Sequence, residues 1–209
     1  MFELKIENTP VSIYGVSYSC EPYNGNDSRT RLANFEVPEF INSDNRKVSL
    51  IGLQNDIRDL IPELDELNEL KTYLVYRLND DYPKKELAFV FSLRCSTLVF
   101  SDENKNDKVL PSVELVYFSS EKKFRINHPE CKGIGRDIFD QMIFERAKAV
   151  SKFVGCSNLI VFAINESKLI NYYKNELLFE ENQIIETQIN KSLRHSDNRN
   201  TKFLYQALY

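Results

Sequence analysis

No two of the four cysteines, Cys20, Cys95, Cys131 and Cys156, stand in a CxxC spacing, and their order makes no disulfide ladder. The chain also has no long apolar run. "LAFVF" and "LIVFAI" are far shorter than the roughly 20 residues that cross a bilayer, and "MFELKIENTP" has no apolar signal core. A reducing cytoplasm and no membrane are the expectations. Positive charge is not in excess either. Lys and Arg number 27 against 31 Asp and Glu, a net charge of −4, which speaks against a general nucleic-acid binder. There is no internal repeat. What the chain does have is apolar mass: 42% hydrophobic residues, with 14 Phe and 11 Tyr, in 209 residues. That suffices for the core of one sizeable domain and argues against disorder.

The patterning sets the expected order of elements. Residues 1–45 read as an N-terminal arm, with a strand in "VSIYGVSY" and turn formers in "CEPYNGNDSRTR". Ser49 is suited to cap a helix carrying Leu50, Leu53, Ile57 and Leu60, and Pro62 to open a second one with Leu64, Leu67 and Leu70. Strands are expected over 71–78, 87–100 and 112–120, with a polar loop over 101–108. Ile138, Phe139, Met142, Ile143, Ala147, Val150 and Val154 mark one face of a helix over 137–154, which Gly155 ends. The apolar run 157–164 reads as a buried strand. A short helix follows, capped by Asn165 or Ser167 and carrying Tyr172 and Tyr173. Strands over 183–189 and 202–208 close the chain around a polar loop, 190–200.

The chemistry concentrates in "ECKGIGRDIF" (130–139). Two glycines two apart open a strong helix, with Lys132 before them and Arg136 after. A helix N-terminus offers unpaired N–H groups to an anion, and glycine lets the backbone approach it closely. A nucleotide P-loop is excluded, because Arg136 and Asp137 follow Gly135 where Lys and Ser/Thr are needed. The dinucleotide fingerprint is excluded by Ile138 at its third small position. A pyrophosphate loop of another kind remains, beside the plainer reading of a tight turn.

Strand "VELVYFSS", then "KGIGRDIFDQMI", "NLIVFAIN" and "LINYYKNELLFEE", in that order and spacing, resemble the GNAT superfamily of N-acyltransferases over residues 71–208. The resemblance implies one α/β domain over 1–209: a mixed, mainly antiparallel central sheet flanked by helices, with an N-terminal arm. It implies acetyl-CoA as co-substrate, its pantetheine arm along Phe118, Ser119 and Ser120. Its pyrophosphate would lie on the backbone of Lys132, Gly133, Ile134, Gly135 and Arg136, with Asn165 near the end of the fifth family strand. Tyr173 is the implied acid for the leaving thiolate, with Tyr172 its neighbour in register, and Glu114 a candidate base. Three departures stand out. Glu130 occupies the family's Gln/Arg position, "INHPE" lengthens the loop, and Leu178 replaces the glycine before Phe179 with one residue extra.

The reading that follows is acetyl transfer to a primary amine by direct attack in a ternary complex. The acceptor is a small molecule, a protein or a charged tRNA, and a homodimer is left open. The alternatives are a non-catalytic CoA- or nucleotide-binding regulatory module and an interaction protein with a blocked cleft. His128 and Cys131 have a ligand-like spacing but no further partners, so no metal is expected. Cys131 near a helix N-terminus is a lesser candidate nucleophile, and His195 is read as solvated.

Overall fold

The computed structural model describes residues 9–42, 44–79, 82–101, 106–192 and 201–208. Its centre is a seven-stranded sheet in the order β1-β2-β5-β6-β7-β8-β9. The strands are β1 (Val11–Ile13), β2 (Val16–Pro22), β5 (Lys71–Asn79), β6 (Tyr82–Ser101), β7 (Asp107–Ser120), β8 (Asn158–Ile164) and β9 (Thr201–Ala207). A separate small hairpin pairs β3 (Phe40–Ile41) with β4 (Lys47–Val48). The neighbours within the main sheet are antiparallel except β7 and β8, which run parallel.

Helices cover both faces. On one lies α4 (135–154), a single helix with a π turn at Phe139–Phe144. Its Ile138, Phe139, Met142, Ile143 and Ala147 are fully or almost fully buried against Phe91, Leu93 and Leu115. Each of the side chains larger than Ala147 contributes about 1.5–3 kcal/mol by leaving water. Gly155, with φ 73°, ends the helix in the left-handed conformation. On the other face, α1 (Asn26–Ala33) and α2 (51–66) pack Leu32, Ile57 and Ile61 against Leu74, Tyr76 and Val90. The alternation of strand side chains divides the two cores: Val75 faces one, Leu74 and Tyr76 the other.

Several elements differ from the sequence reading. "VSIYGVSY" is two strands, because Tyr14 and Gly15 both take positive φ (51° and 77°) and turn the chain between Ile13 and Val16. The segment expected as an arm therefore supplies two strands of the main sheet, and α1 forms within its turn-former run. Ser49 caps nothing; α2 runs unbroken past Pro62. Pro62 has no N–H to offer four residues back, and a π turn at Asp56–Leu60 carries the chain past it. Residues 183–189 are not a strand but the start of α6 (Gln183–Ser192). The Asn182 carboxamide oxygen accepts from the N–H groups of Ile184 and Ile185, each at 3.1 Å, and so starts a helix. Ile185 then packs on Ile160 and Phe203. The strands expected at 71–78, 87–100, 112–120, 157–164 and 202–208 are all present. Of the loop expected at 101–108, Ser101 ends β6 and Asp107 and Lys108 begin β7, while 102–105 lie outside the described residues; of that at 190–200, residues 190–192 end α6 and 193–200, with His195, lie outside them.

Candidate active site

The site begins as a break in the sheet. β7 pairs with β8 only over Ser112–Glu114 against Asn158–Ile160. Beyond that, β7 keeps β6 as far as Ser120, and β8 keeps β9 as far as Ile164, but the two strands part. The cause is visible in β7. Tyr117 pairs with Ser92 and Leu115 with Leu93, so Val116 is an extra residue, a bulge. Val116 and Tyr117 consequently face the same core. A bulge bends and twists its strand, and here it turns the β7 edge away from β8. The Glu121 N–H donates to the Ala88 carbonyl of β6 at 2.8 Å. By alternation the backbone groups of Phe118 and Ser120 face the opened edge.

A cleft of about 560 Å³ occupies the gap. It reaches both faces of the sheet. Phe118, Ile134 and Tyr172 line it from the core under α4, and Leu50, Leu53 and Tyr117 from the core under α2. Among the described residues, its lining holds no Asp or Glu, and its only basic side chains are Arg125, His128 and Lys132.

The glycine loop closes one end. The buried Glu121 carboxylate caps α3 (Lys122–Asn127) by accepting the Phe124 N–H at 2.8 Å. It also accepts the Glu36 N–H at 3.3 Å, which ties the N-terminal segment to this corner. The chain then makes a 3-10 turn at Pro129–Cys131 and enters α4 at Gly135. Gly133, with φ 92°, needs to be glycine. The N–H groups of Lys132, Ile134 and Arg136 bond back to Pro129, Cys131 and Gly133. Those of Gly133, Gly135 and Asp137 make no hydrogen bond among the described residues. This is the donor set an anion needs at a helix start.

Opposite stands α5 (167–176), whose last five residues, Tyr172–Glu176, form a π turn. The Leu177 N–H reaches the Tyr172 carbonyl at 3.2 Å, and the Phe179 N–H the Tyr173 carbonyl at 3.0 Å. Leu178, just before Phe179, takes the left-handed conformation, with φ 59°. Tyr172 and Tyr173 both line the cleft. Tyr173 is wedged edge-on between Tyr172 and Phe179, with centroids at 6.0 and 5.6 Å. Burial pushes its hydroxyl up to about 12. Burial first, then Tyr173 and the acids Glu176, Asp140 and Asp137, raise Tyr172 as well. Both are therefore protonated near neutral pH. The Tyr172 hydroxyl lies 3.0 Å from where a Cβ on Gly135 would stand, so the second glycine makes room for it.

Of the residues the sequence nominates, Phe118, Ser119, Ser120, Lys132, Gly133, Ile134, Gly135 and Tyr173 come together around the cleft. Three stand apart from its lining. Glu114 is buried, with both carboxylate oxygens held by Arg94 of β6 at 2.8 and 3.0 Å. Arg136 turns out to Asp140 and Glu176, each at 3.7 Å. Asn165 is exposed just past the end of β8. Glu130 does not line the cleft either. A hydrogen bond from its own backbone N–H, then His128 and Arg77, hold its carboxyl below the ordinary range, with His128 at 3.1 Å and Arg77 at 3.5 Å. Cys131 lines the cleft and its thiol lies 3.6 Å from the Tyr18 hydroxyl. His128 turns its Nε2 to Glu86 at 2.7 Å. Sequence reasoning missed Val37, Pro38, Phe40, Leu50 and Leu53 as cleft residues; they meet it only through tertiary packing, and no local motif marks them.

No family model and no curated protein matches the chain. Solved structures do. One is AtaTR bound with acetyl-CoA, 17% identical over 91% of this chain and 93% of that one, at a TM-score of 0.58. Another is a tyrosine-to-phenylalanine mutant of KacT, 16% identical over 91% and 95%, at 0.59. A third is AtaT complexed with acetyl-methionyl-tRNAfMet, 17% identical over 91% and 94%, at 0.57. At such identities the likeness is one of architecture: the chain has the fold of the GNAT acetyltransferases.

Proposed function

We propose that the protein transfers an acetyl group from acetyl-CoA to a primary amine. The observation that carries this reading is the opened β7 edge leading to the unpaired N–H groups at the head of α4, with two protonated tyrosines across the gap. Pantetheine amides would pair with the free edge at Phe118 and Ser120, and pyrophosphate with Gly133, Gly135 and Asp137. Lys132 adds charge at the mouth. The thioester carbonyl would then lie at the bulge, where a backbone N–H of β7 receives the developing oxyanion.

The amine, having lost its proton to solvent, attacks the thioester carbon. A C–N bond forms and the C–S bond breaks. The attacking nitrogen gives its extra proton to water, the sulfur leaves as a thiolate and takes a proton from the donor, which water then reprotonates, so that amide and free CoA result. Tyr173 is the proposed donor, on the likeness of "NYYKNELLF" to the tyrosine helix of the acyltransferases that the sequence resembles, with Tyr172 the alternative one residue earlier. Tyr172 covers the second glycine. Glu114, tied up by Arg94, is an unpromising base, which leaves proton removal to water. Four of the similar structures are tyrosine-to-phenylalanine mutants, three of the AtaT toxin and one of KacT. One AtaT complex contains acetyl-methionyl-tRNA, so charged tRNA belongs among the acceptors to be tried.

The first test is thermal unfolding with and without acetyl-CoA. At about 100 times the dissociation constant, linkage gives roughly 2.7 kcal/mol of stabilisation. An unchanged melting temperature at millimolar acetyl-CoA rejects the reading. Binding without thiol release on any amine would instead make the protein a CoA-binding module.

A further inference from the structure

Two segments far apart in the chain line the cleft and meet at one carboxylate. The first is residues 34–40, whose Val37, Pro38 and Phe40 line it, Val37 from the core under α2. The second is α3, whose Phe124, from the core under α4, and Arg125 line it, followed by His128 at the C-cap. The backbone of the first segment bonds alternately to two elements. The Phe35 carbonyl accepts from the Arg58 Nε–H at 2.7 Å, and the Val37 N–H donates to the Gln54 carboxamide oxygen at 3.2 Å, both on α2. Between them, the Glu36 N–H donates to Glu121 Oε1 at 3.3 Å, and the Glu36 carbonyl accepts the Lys122 N–H at 2.7 Å. The other oxygen of Glu121, Oε2, accepts the Phe124 N–H at 2.8 Å and caps α3.

Each oxygen of one side chain thus serves a different wall. Glu121 is 6% exposed, and a carboxylate is buried at high cost unless its oxygens are hydrogen-bonded. From this carboxylate α3 leads directly into the 3-10 turn at Pro129–Cys131 and on to the glycine loop. An anion that fixes the glycine loop therefore fixes α3 and, through Glu121, the segment 34–40. We infer that Glu121 is a positioning residue that couples the two walls: acetyl-CoA on the glycine loop tightens the hold on residues 34–40, and a firm hold on them favours acetyl-CoA. Such coupling is reciprocal, and its usual size is about 5- to 150-fold in affinity. The inference rests on the acyltransferase reading above for the identity of the ligand, and it adds a residue that acts on binding without lining the cleft.

The test is amide hydrogen exchange of the full chain, free and saturated with acetyl-CoA, read by mass spectrometry on the peptide over 34–40. In the wild type, exchange there should slow by at least about fivefold on binding. Glu121→Gln keeps the shape but puts an NH2 group where one oxygen stood, and that group cannot accept from an N–H. This variant should bind acetyl-CoA at least about fivefold more weakly in titration calorimetry, and at saturation its exchange over 34–40 should no longer respond. Gln54→Leu frees the same segment from α2 instead. Its exchange should be faster in both states and should still slow on binding. Loss of the response in Gln54→Leu as well would show that any loosening of the segment suffices, and it overturns the assignment to Glu121. Binding by the wild type with unslowed exchange over 34–40, or a Glu121→Gln protein that still responds, overturns the coupling and leaves the acyltransferase reading intact. No acetyl-CoA binding by the wild type overturns both.

Discussion

The two walls of the cleft do their work with different parts of the chain. On the β7 and α4 side, the groups offered to a ligand are backbone N–H and C=O, freed by a bulge at Val116 and by a helix start at Gly135. On the α5 side the lining is made of side chains, those of Tyr172 and Tyr173. A wall made of backbone tolerates side-chain exchange and is sensitive to added bulk. A wall made of tyrosines is sensitive to the loss of a single oxygen. The Glu130 carboxylate, close to the glycine loop, is met by His128 and Arg77 outside the cleft lining.

The sharpest way to test the side-chain wall is Tyr173→Phe. The ring and its edge-on contacts with Tyr172 and Phe179 remain, so acetyl-CoA affinity should hold. Turnover should fall by roughly 100- to 10,000-fold, the range for a positioned acid. Tyr172→Phe should cost much less. If the two results exchange, the acid is one residue earlier; if neither variant is slowed, protonation runs through water.

The backbone wall is broken by adding atoms. A Cβ at Gly135 would meet the Tyr172 hydroxyl at 3.0 Å, with Phe118 and Phe89 carbons at 4.0 Å. Gly135→Val should therefore lower acetyl-CoA affinity by about 100-fold or more in titration calorimetry, or about 2.7 kcal/mol, while the far-UV spectrum stays native. Unchanged affinity would mean that the loop is a turn and no more.

Much of this was legible in the sequence because it is local. Apolar runs mark the central strands, helical spacing marks α4, and "KGIGR" and "NYYKNELLF" mark the two walls. What sequence reasoning missed depends on contacts between distant segments. The bulge at Val116 is a matter of register with Ser92 and Leu93. The apolar end of the cleft brings Val37, Phe40, Leu50 and Leu53 against Val116 and Tyr117, a meeting of distant segments that no local motif marks. Glu114 reads as a free strand carboxylate until Arg94, twenty residues earlier, is found across the ladder. "QIIETQI" reads as a closing strand, and the Asn182 cap makes it the start of a helix.

Alkaline titration probes how dry the tyrosine wall and its surroundings are. Burial pushes Cys20 from an ordinary 9.0, and Tyr76, Tyr117 and Tyr173 from 10.0, up to about 12. The folded state holds these protons more tightly than the unfolded chain. Their stabilisation is therefore whole below about pH 9 and is lost as pH rises through about 12. The free energy of unfolding should fall with pH over that window, by up to about 1.4 kcal/mol per pH unit for each group. Urea melts at several pH values would show it, and Tyr173→Phe should make the fall shallower. A flat profile would mean that water reaches these groups.

The smallest effect concerns the residue that sets the register of the tyrosine wall. Leu178 holds φ 59° directly after the π turn, and its side chain is 62% exposed. A left-handed backbone costs a residue with a Cβ about 1–2 kcal/mol, and little packing offsets it here. The conformation persists because the Phe179 N–H must reach the Tyr173 carbonyl, burying Phe179 against Phe139. Glycine would remove the strain but would gain freedom in the unfolded chain, worth about 0.4–1 kcal/mol against it. Leu178→Gly should thus stabilise the protein by about 0.5–1 kcal/mol, a rise of roughly 1–4 °C in Tm for a chain of this size. Turnover should be unchanged, since the π turn and not the leucine side chain positions Tyr173. A lower Tm would show that Leu178 makes a contact worth more than its strain. Unchanged stability with lost turnover would show that the strain itself holds the tyrosine in place.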